Sequence, residues 1–253
     1  MGLKACLADL CKRMMFGYKS SEKRFVDHLR GLGMRVGDGV HLYSPQTIMI
    51  DEQRPWMVSI GDNVQITANV SILAHDYSWS VVQRATGEVL GRCARTRIGN
   101  NVFIGQRSLI LMGADIGDNV IIGAGSVVGG RVEADSVYAG VPARRICGLD
   151  EYMRKRKATQ ADDAALLVRD YESVYGKRPT RKLLREFFWL FEPRDRTLPQ
   201  VYRDVIDLQG TPELSEASFY ASDPTFDGFD AFLRWAERCA DSDKSLCSNS
   251  FGN

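Results

Sequence analysis

The chain has three histidines, at positions 28, 41 and 75, and one of them stands where chemistry is easiest to place. Histidine takes and returns a proton near neutral pH, its ordinary pKa being about 6.5. His28 falls in an N-terminal stretch with helical apolar spacing, and His41 in an irregular one. His75 closes a regular run, in ILAHDYS, at the point where the regularity stops. An alcohol is a poor nucleophile until its proton leaves, so acyl transfer from a thioester to a hydroxyl needs a base of this kind. A structural histidine bonded at a corner is the other reading of the same residue. Asp76 or a backbone carbonyl is a candidate to orient the ring. Such a transfer also needs a place for the negative charge that develops on the thioester oxygen. Glycine-rich corners supply one through exposed backbone N–H groups. No cysteine falls at this position by motif, which disfavours a covalent acyl intermediate.

The frame that holds these residues is a repeat. Ile60, Ile66 and Ile72 fall six apart, and so do Ile98, Ile104, Ile110, Ile116, Ile122 and Val128. Glycine often follows the aliphatic, and four residues after it comes a small or β-branched residue, from Val64 and Val70 to Ser126 and Val132. A period of six does not fit a helix, whose faces recur every three to four residues. It fits short parallel strands joined by tight corners and stacked as a solenoid. Glycine is expected to give those corners their unusual dihedrals. Ile72 and Ile98 are 26 apart, not a multiple of six. Residues 76–97, with Tyr77, Trp79 and four arginines, are therefore predicted to leave the stack as a loop. Residues 34–59 start the repeat imperfectly, with a corner insertion at 51–57, and residues 98–146 resume it.

Residues 1–33 are predicted to be helical, broken near Gly17 and ended by Gly31 and Gly33, packing on the open end of the stack. A membrane-surface contact is the alternative for the first part. Residues 148–240 read as a helical extension. ADDAALLVRDYESVY and TRKLLREFFWLFEPR flank a break at Gly176–Pro179, with Thr180 as N-cap of the second segment. The run Phe187–Phe191 is too apolar for a solvated helix and is expected to pack on the solenoid or on another subunit. Residues 197–240 read as loop and then helix, and residues 241–253 as a disordered polar tail.

The segments IGDNVQITANVSILAHDYS, IGNNVFIGQRSLILMGADIGDNVIIGAGSVV and AGVPARRI resemble the hexapeptide-repeat acyltransferases, and most of all the maltose- and galactoside-type sugar O-acetyltransferases. The resemblance covers roughly residues 36–147. It implies a mainly β fold, a left-handed parallel β-helix over residues 34–147, although parallel crossovers are normally right-handed. It implies acetyl-CoA as co-substrate with no metal required, His75 as the catalytic base, and a homotrimer with active sites between subunits, the 76–97 loop reaching a neighbour. By motif, Phe103, Gly105, Gln106 and Ala124 line the coenzyme channel. The family often has Trp at the Phe103 position and Ser at the Gln106 position. Arg144 in GVPAR matches a basic residue that meets the coenzyme. A Lys common after the GAGS rung is missing; Gly129-Gly130 stand there, and Arg131 is the candidate substitute. Asp51 falls where the sugar enzymes carry an acceptor-contacting acid. Tyr77 and Trp79 are candidates to stack on a sugar, and Arg84 to meet an acidic group on it.

The totals bound the rest. Formal net charge is +1, from 33 basic and 32 acidic residues in 253, which gives no case for nucleic acid or an anionic membrane. No run approaches the roughly 20 apolar residues of a membrane helix, and the N-terminus lacks a clear signal peptide. The six cysteines show neither metal-ligand spacing nor a disulfide framework, so a reduced, cytoplasmic location is expected. The expected function is O-acetylation of a carbohydrate hydroxyl, with a surface polysaccharide as one candidate acceptor. The rivals are N-acylation of an amino sugar, acetylation of a xenobiotic, a zinc-dependent carbonic anhydrase needing three His, and a non-catalytic β-helix assembly subunit.

Overall fold

One aliphatic in six points inward, and the inward positions close into three parallel sheets. The computed structural model describes residues 3–247. The first sheet takes strands Arg35–Val36, Val58–Ile60, Thr96–Ile98, Asp115–Ile116 and Arg131–Val132. The second runs from His41–Leu42 through Gln65–Ile66, Val102–Ile104 and Val120–Ile122 to Ser136–Gly140. The third holds Met49–Ile50, Ser71–Ile72, Leu109–Ile110 and Val127–Val128. The chain visits the sheets in turn, and in the most regular coil it returns to each 18 residues later, as Arg97 pairs with Asp115, Val102 with Val120 and Leu109 with Val127. Ile66, Ile72, Ile104, Ile110, Ile116 and Ile122 are fully buried. Each contributes about 1.5–3 kcal/mol of transfer free energy.

The corners differ from expectation. The glycines after the aliphatic keep ordinary dihedrals; a Cβ on Gly61 or Gly105 would instead lie 2.5–2.6 Å from atoms of the neighbouring coil. They are small because successive coils touch there. Left-handed corners fall at other glycines, Gly39, Gly113, Gly125 and Gly130, at Asn69 and Arg107, and, with φ of 52–56°, at Asn63, Asn101, Asn119 and Asp135, Asn and Asp being residues that tolerate this region. Their neighbours form a polar ladder down one edge: Asp62 Oδ1 accepts from Asp38 N, Asn100 Oδ1 from Asp62 N, and Asp118 Oδ1 from Asn100 N. Val132 is not a small interior residue of the Val128 coil. It pairs with Ile116 and takes the aliphatic position, because the Gly129-Gly130 corner is shorter. The repeat also ends before residue 146, where Ala143–Gly148 turns back antiparallel onto Ser136–Gly140.

The stretch predicted as a loop is ordered. His75–Asp76 pairs antiparallel with Arg92–Cys93, and helix α3 (Trp79–Thr86) lies between them; helices α1 and α2 are Leu3–Phe16 and Glu22–Gly31. The excursion closes earlier than expected, since Thr96–Ile98 pairs in register with Val58–Ile60. At the other end α2 covers the first coil with Phe25, Val26 and Leu29. Polar side chains of α2 and of the 3₁₀ turn before it, Gly17–Ser20, satisfy the open edge: Glu22 accepts from Leu42 N and contacts His41 Nδ1, and Lys19 of the turn donates to Ile48 O at 2.7 Å. Capping holds for α2 but not for α1, whose Leu7, Leu10, Met14 and Met15 stay exposed.

The chain divides into two compact units, the second starting at Met153. Its elements are α4 (Leu149–Tyr175), α5 (Gln200–Ile206), α6 (Pro212–Tyr220) and α7 (Phe229–Cys247). The second predicted helical segment is not a helix. Residues 181–186 form turns, Phe188–Leu190 a single 3₁₀ turn, and Thr180 caps nothing with its side chain. Five successive apolar residues have no polar face to offer, and the irregular path lets Phe188, Leu190 and Phe191 all turn inward. They build a core of the unit's own with Tyr202, Phe219 and Phe232. Residues 200–220 carry two helices where a loop was expected, and α7 extends into the expected tail; residues 248–253 lie outside the described residues.

Candidate active site

His75 sits where the third sheet turns toward the first, directly after Ile72 has taken its inward position. Its side chain is 12% exposed. The coil before it brings the corner insertion alongside, because Met49–Ile50 stacks in register on Ser71–Ile72. Asp51 N then donates to Ile72 O at 3.0 Å, and the Asp51 side chain, 2% exposed, reaches the His75 ring. Its Oδ2 contacts His75 Nδ1 and accepts Ala74 N at 3.0 Å, while Oδ1 accepts Gln53 N at 3.1 Å. The partner of His75 is thus Asp51 and not Asp76, whose carboxylate bonds Ser78 through both Oγ and N. Those bonds, the hydroxyl's first, lower the Asp76 pKa. Asp51 therefore holds the His75 ring, a contact that the sequence did not announce.

A carboxylate accepts, so the Asp51 contact favours the tautomer with its proton on Nδ1, and in that neutral tautomer Nε2 holds the lone pair. Among the described residues Nε2 has no hydrogen-bond partner. Tyr77 packs edge-on against the ring at 5.2 Å, and Trp79 stands 5.9 Å from Tyr77. Arg84 lies farther along α3, exposed, with no contact to His75. Cys93, which motif reasoning kept away from the site, is the cross-strand partner of His75 and is exposed. The spacing argument missed it because it treated the excursion as a loop without pairing.

Phe103, Gln106 and Ala124 are exposed around the corner between the second and third sheets. Gly105 is buried there, its N donating to Ile122 O, and Gln106 O accepts Gly125 N at 2.8 Å. His75 occupies the next corner round, and no hydrogen bond or ring contact joins the two groups in one chain. Arg131 lies exposed in the first sheet, and Arg144 near the hairpin tip after Val141-Pro142, also exposed. The three histidines go to three different carboxylates, His28 to Glu52, His41 to Glu22 and His75 to Asp51. Among the described residues no three His, Cys, Asp or Glu side chains are grouped to hold a metal ion.

Residues 95–130 match the family model described as bacterial transferase hexapeptide (six repeats). Protein CapG of Staphylococcus aureus is 36% identical over 129 residues, which are 51% of this chain and 74% of that protein. The chain belongs to the hexapeptide-repeat transferases. Another relative in this family is the galactoside O-acetyltransferase of Escherichia coli (strain K12), 37% identical over 116 residues, or 46% of this chain. The match spans only 54% of that relative. Among solved structures, a maltose O-acetyltransferase from Clostridium difficile 630 is 27% identical, covers 57% of this chain and 84% of its own, and has a TM-score of 0.43. Both matches leave about half of this hexapeptide-repeat transferase uncovered.

Proposed function

We propose that this chain is an acetyl-CoA-dependent O-acetyltransferase acting on a carbohydrate hydroxyl, built on a left-handed parallel β-helix and working as a trimer. The observation that carries the reading is the Asp51–His75 pair at a solvent-reached corner, with Nε2 left without a protein partner. The proton of the acceptor hydroxyl passes to Nε2, and the alkoxide oxygen bonds to the thioester carbonyl carbon. Backbone N–H groups hold the resulting oxyanion. The C–S bond then breaks, and the departing thiolate takes the proton from Nε2. Asp51 stabilises the imidazolium in between. Family membership and the sugar O-acetyltransferase relative support the acetyl donor and the sugar acceptor.

Tyr77, packed on the His75 ring, and Trp79, packed on Tyr77, offer faces on which a sugar stacks, and Arg84 on the helix of Trp79 meets an acidic substituent. Phe103, Gly105, Gln106 and Ala124 line the coenzyme channel, with Arg131 and Arg144 as counter-charges for its phosphates. Their separation from His75 within one chain supports a site completed by a second copy, one giving the base and the other the channel. No described helix is long and apolar enough to cross a membrane. The exposed free thiols Cys11 and Cys93 suit a reducing compartment, the cytoplasm.

The test is thiol release from acetyl-CoA against a panel of sugars, sugar nucleotides, amino sugars and antibiotics. Acceptor-dependent release that falls by about 10²-fold or more in His75→Ala is the expected result. Cys93→Ser separates direct transfer, which keeps turnover, from an acyl-cysteine route, which loses it. A folded protein that binds no coenzyme would leave a scaffold and overturn the reading.

A further inference from the structure

Three consecutive side chains, Asp51, Glu52 and Gln53, each tie to a different element around His75. Asp51 holds the ring at Nδ1. Gln53 Oε1 accepts the hydroxyl of Tyr77, at 2.9 Å, and Tyr77 in turn packs edge-on against the imidazole. Glu52 points the other way, to the N-terminal helical segment. It accepts Tyr18 Oη at 2.9 and 3.1 Å and contacts His28 Nε2 at 3.1 Å. The Tyr18 and His28 rings stack face to face, centroids 3.7 Å apart and planes 12° apart, so their two polar atoms converge on one carboxylate. Burial first, and then the Glu52 carboxylate, push the Tyr18 phenol above its ordinary pKa, which keeps it a donor.

The corner 51–57 is an insertion with a single 3₁₀ turn, Pro55–Met57, at its end. Asp51 is the last residue bonded into the coil, through its N to Ile72 O; residues 52–57 leave the parallel pairing, so the side-chain bonds of Glu52 and Gln53 fix how the corner sits against the Asp51 side chain. We infer that Glu52 is a positioning residue for His75, and that Tyr18 and His28 extend the catalytic apparatus into the N-terminal segment through it. The inference rests on His75 being the base. It assigns work to residues far from His75 in sequence: Tyr18 and His28 anchor Glu52, and the anchored corner aims Asp51 and Gln53 at the two rings of the site. Placement within an ångström matters, since misplacing a catalytic group by about 1 Å costs up to roughly 10²-fold.

The test needs no acceptor. In the full chain labelled with ¹⁵N-histidine, long-range ¹H–¹⁵N spectra report the tautomer of each imidazole, and His75 is assigned by its absence in His75→Ala. The wild type is expected to show His75 protonated at Nδ1 and bare at Nε2, with slow exchange of the Nδ1 proton. Glu52→Ala is expected to mix the tautomers and lose the slow-exchanging proton, and Glu52→Gln, which keeps an acceptor oxygen, to restore it. Thiol release from acetyl-CoA should fall by about tenfold in Glu52→Ala. The double variant Tyr18→Phe/His28→Phe removes both polar partners of Glu52 while keeping two stacked rings, and it should reproduce the Glu52→Ala spectrum, which covers the case in which that variant fails to fold. An unchanged His75 tautomer and exchange rate in folded Glu52→Ala or in the double variant would overturn the inference. Turnover indifferent to His75→Ala, with the tautomer still sensitive to Glu52, would overturn the proposed reaction and leave the clamp in place.

Discussion

Asp51→Asn isolates the charge of the pair while leaving its shape. Asp51 is almost completely buried and accepts from three donors: His75 Nδ1 and Ala74 N on one oxygen, Gln53 N on the other. Asparagine has one acceptor atom and one donor group, so neither of its flips satisfies the site. With its NH₂ toward Gln53, two donors face each other. With its NH₂ toward Ala74 and His75, Ala74 N loses its acceptor and Nδ1 must itself accept. That second flip puts the proton on Nε2 and removes the base. An orphaned buried donor costs about 1–3 kcal/mol. The lost attraction between the carboxylate and the imidazolium formed during transfer adds to this. For unit charges about 4 Å apart at an effective dielectric of about 20, it amounts to about 4 kcal/mol. Solvent reaching the ring reduces that figure, and at about 1.4 kcal/mol per decade the two effects together predict a fall in kcat of about 10²- to 10³-fold. The Michaelis constant for acetyl-CoA should stay put, since no contact joins the coenzyme-channel corner to Asp51. Steady-state thiol release, with thermal unfolding run alongside to confirm folding, measures both. A folded Asp51→Asn enzyme within threefold of wild-type kcat would refute the dyad reasoning.

Two further variants test the frame. Gly105→Ala places a methyl 2.5 Å from Ala124 N and 2.8 Å from Ala124 Cα, backbone of the neighbouring coil that cannot step aside; a loss of about 1–3 kcal/mol in urea unfolding is expected. Tyr202 is fully buried, its hydroxyl lies near Glu192 and Arg181 without a well-formed hydrogen bond among the described residues, and burial, followed by the charge of Glu192, pushes its phenol well above the ordinary 10. A raised folded pKa means the folded state keeps the proton longer. Its stabilising effect is therefore fully present below about pH 10 and is lost as pH rises from there through the folded pKa, with a slope of up to about 1.4 kcal/mol per pH unit. Tyr202→Phe should abolish that alkaline slope and lie within about 1 kcal/mol of wild type at pH 7. A flat alkaline profile in the wild type would show the phenol to be hydrated.

The six-residue spacing was enough to place Ile60 through Val128 in a stacked interior, because a coil of this kind is local. Each aliphatic needs only its own short strand and the corner beside it. The same reasoning flagged His75, since a break in a strict lattice is visible in one dimension. It misjudged what depends on a second coil. The corner glycines were assigned to turn geometry because their real constraint, a neighbouring backbone within van der Waals reach, is not a property of their own segment. The Asp51–His75 contact escaped that reasoning because the two residues lie 24 apart, across a corner that leaves the period. Cys93 reaches His75 only through the pairing of two short strands that no repeat announces. In the C-terminal unit the apolar run Phe187–Phe191 announced burial but not its form, because five adjacent apolar residues satisfy a helix poorly and an irregular turn well. Composition and period are sums over neighbours in the chain, and they determined the frame and singled out His75. The orientation of the base is a sum over neighbours in space, and only the tertiary structure decided it.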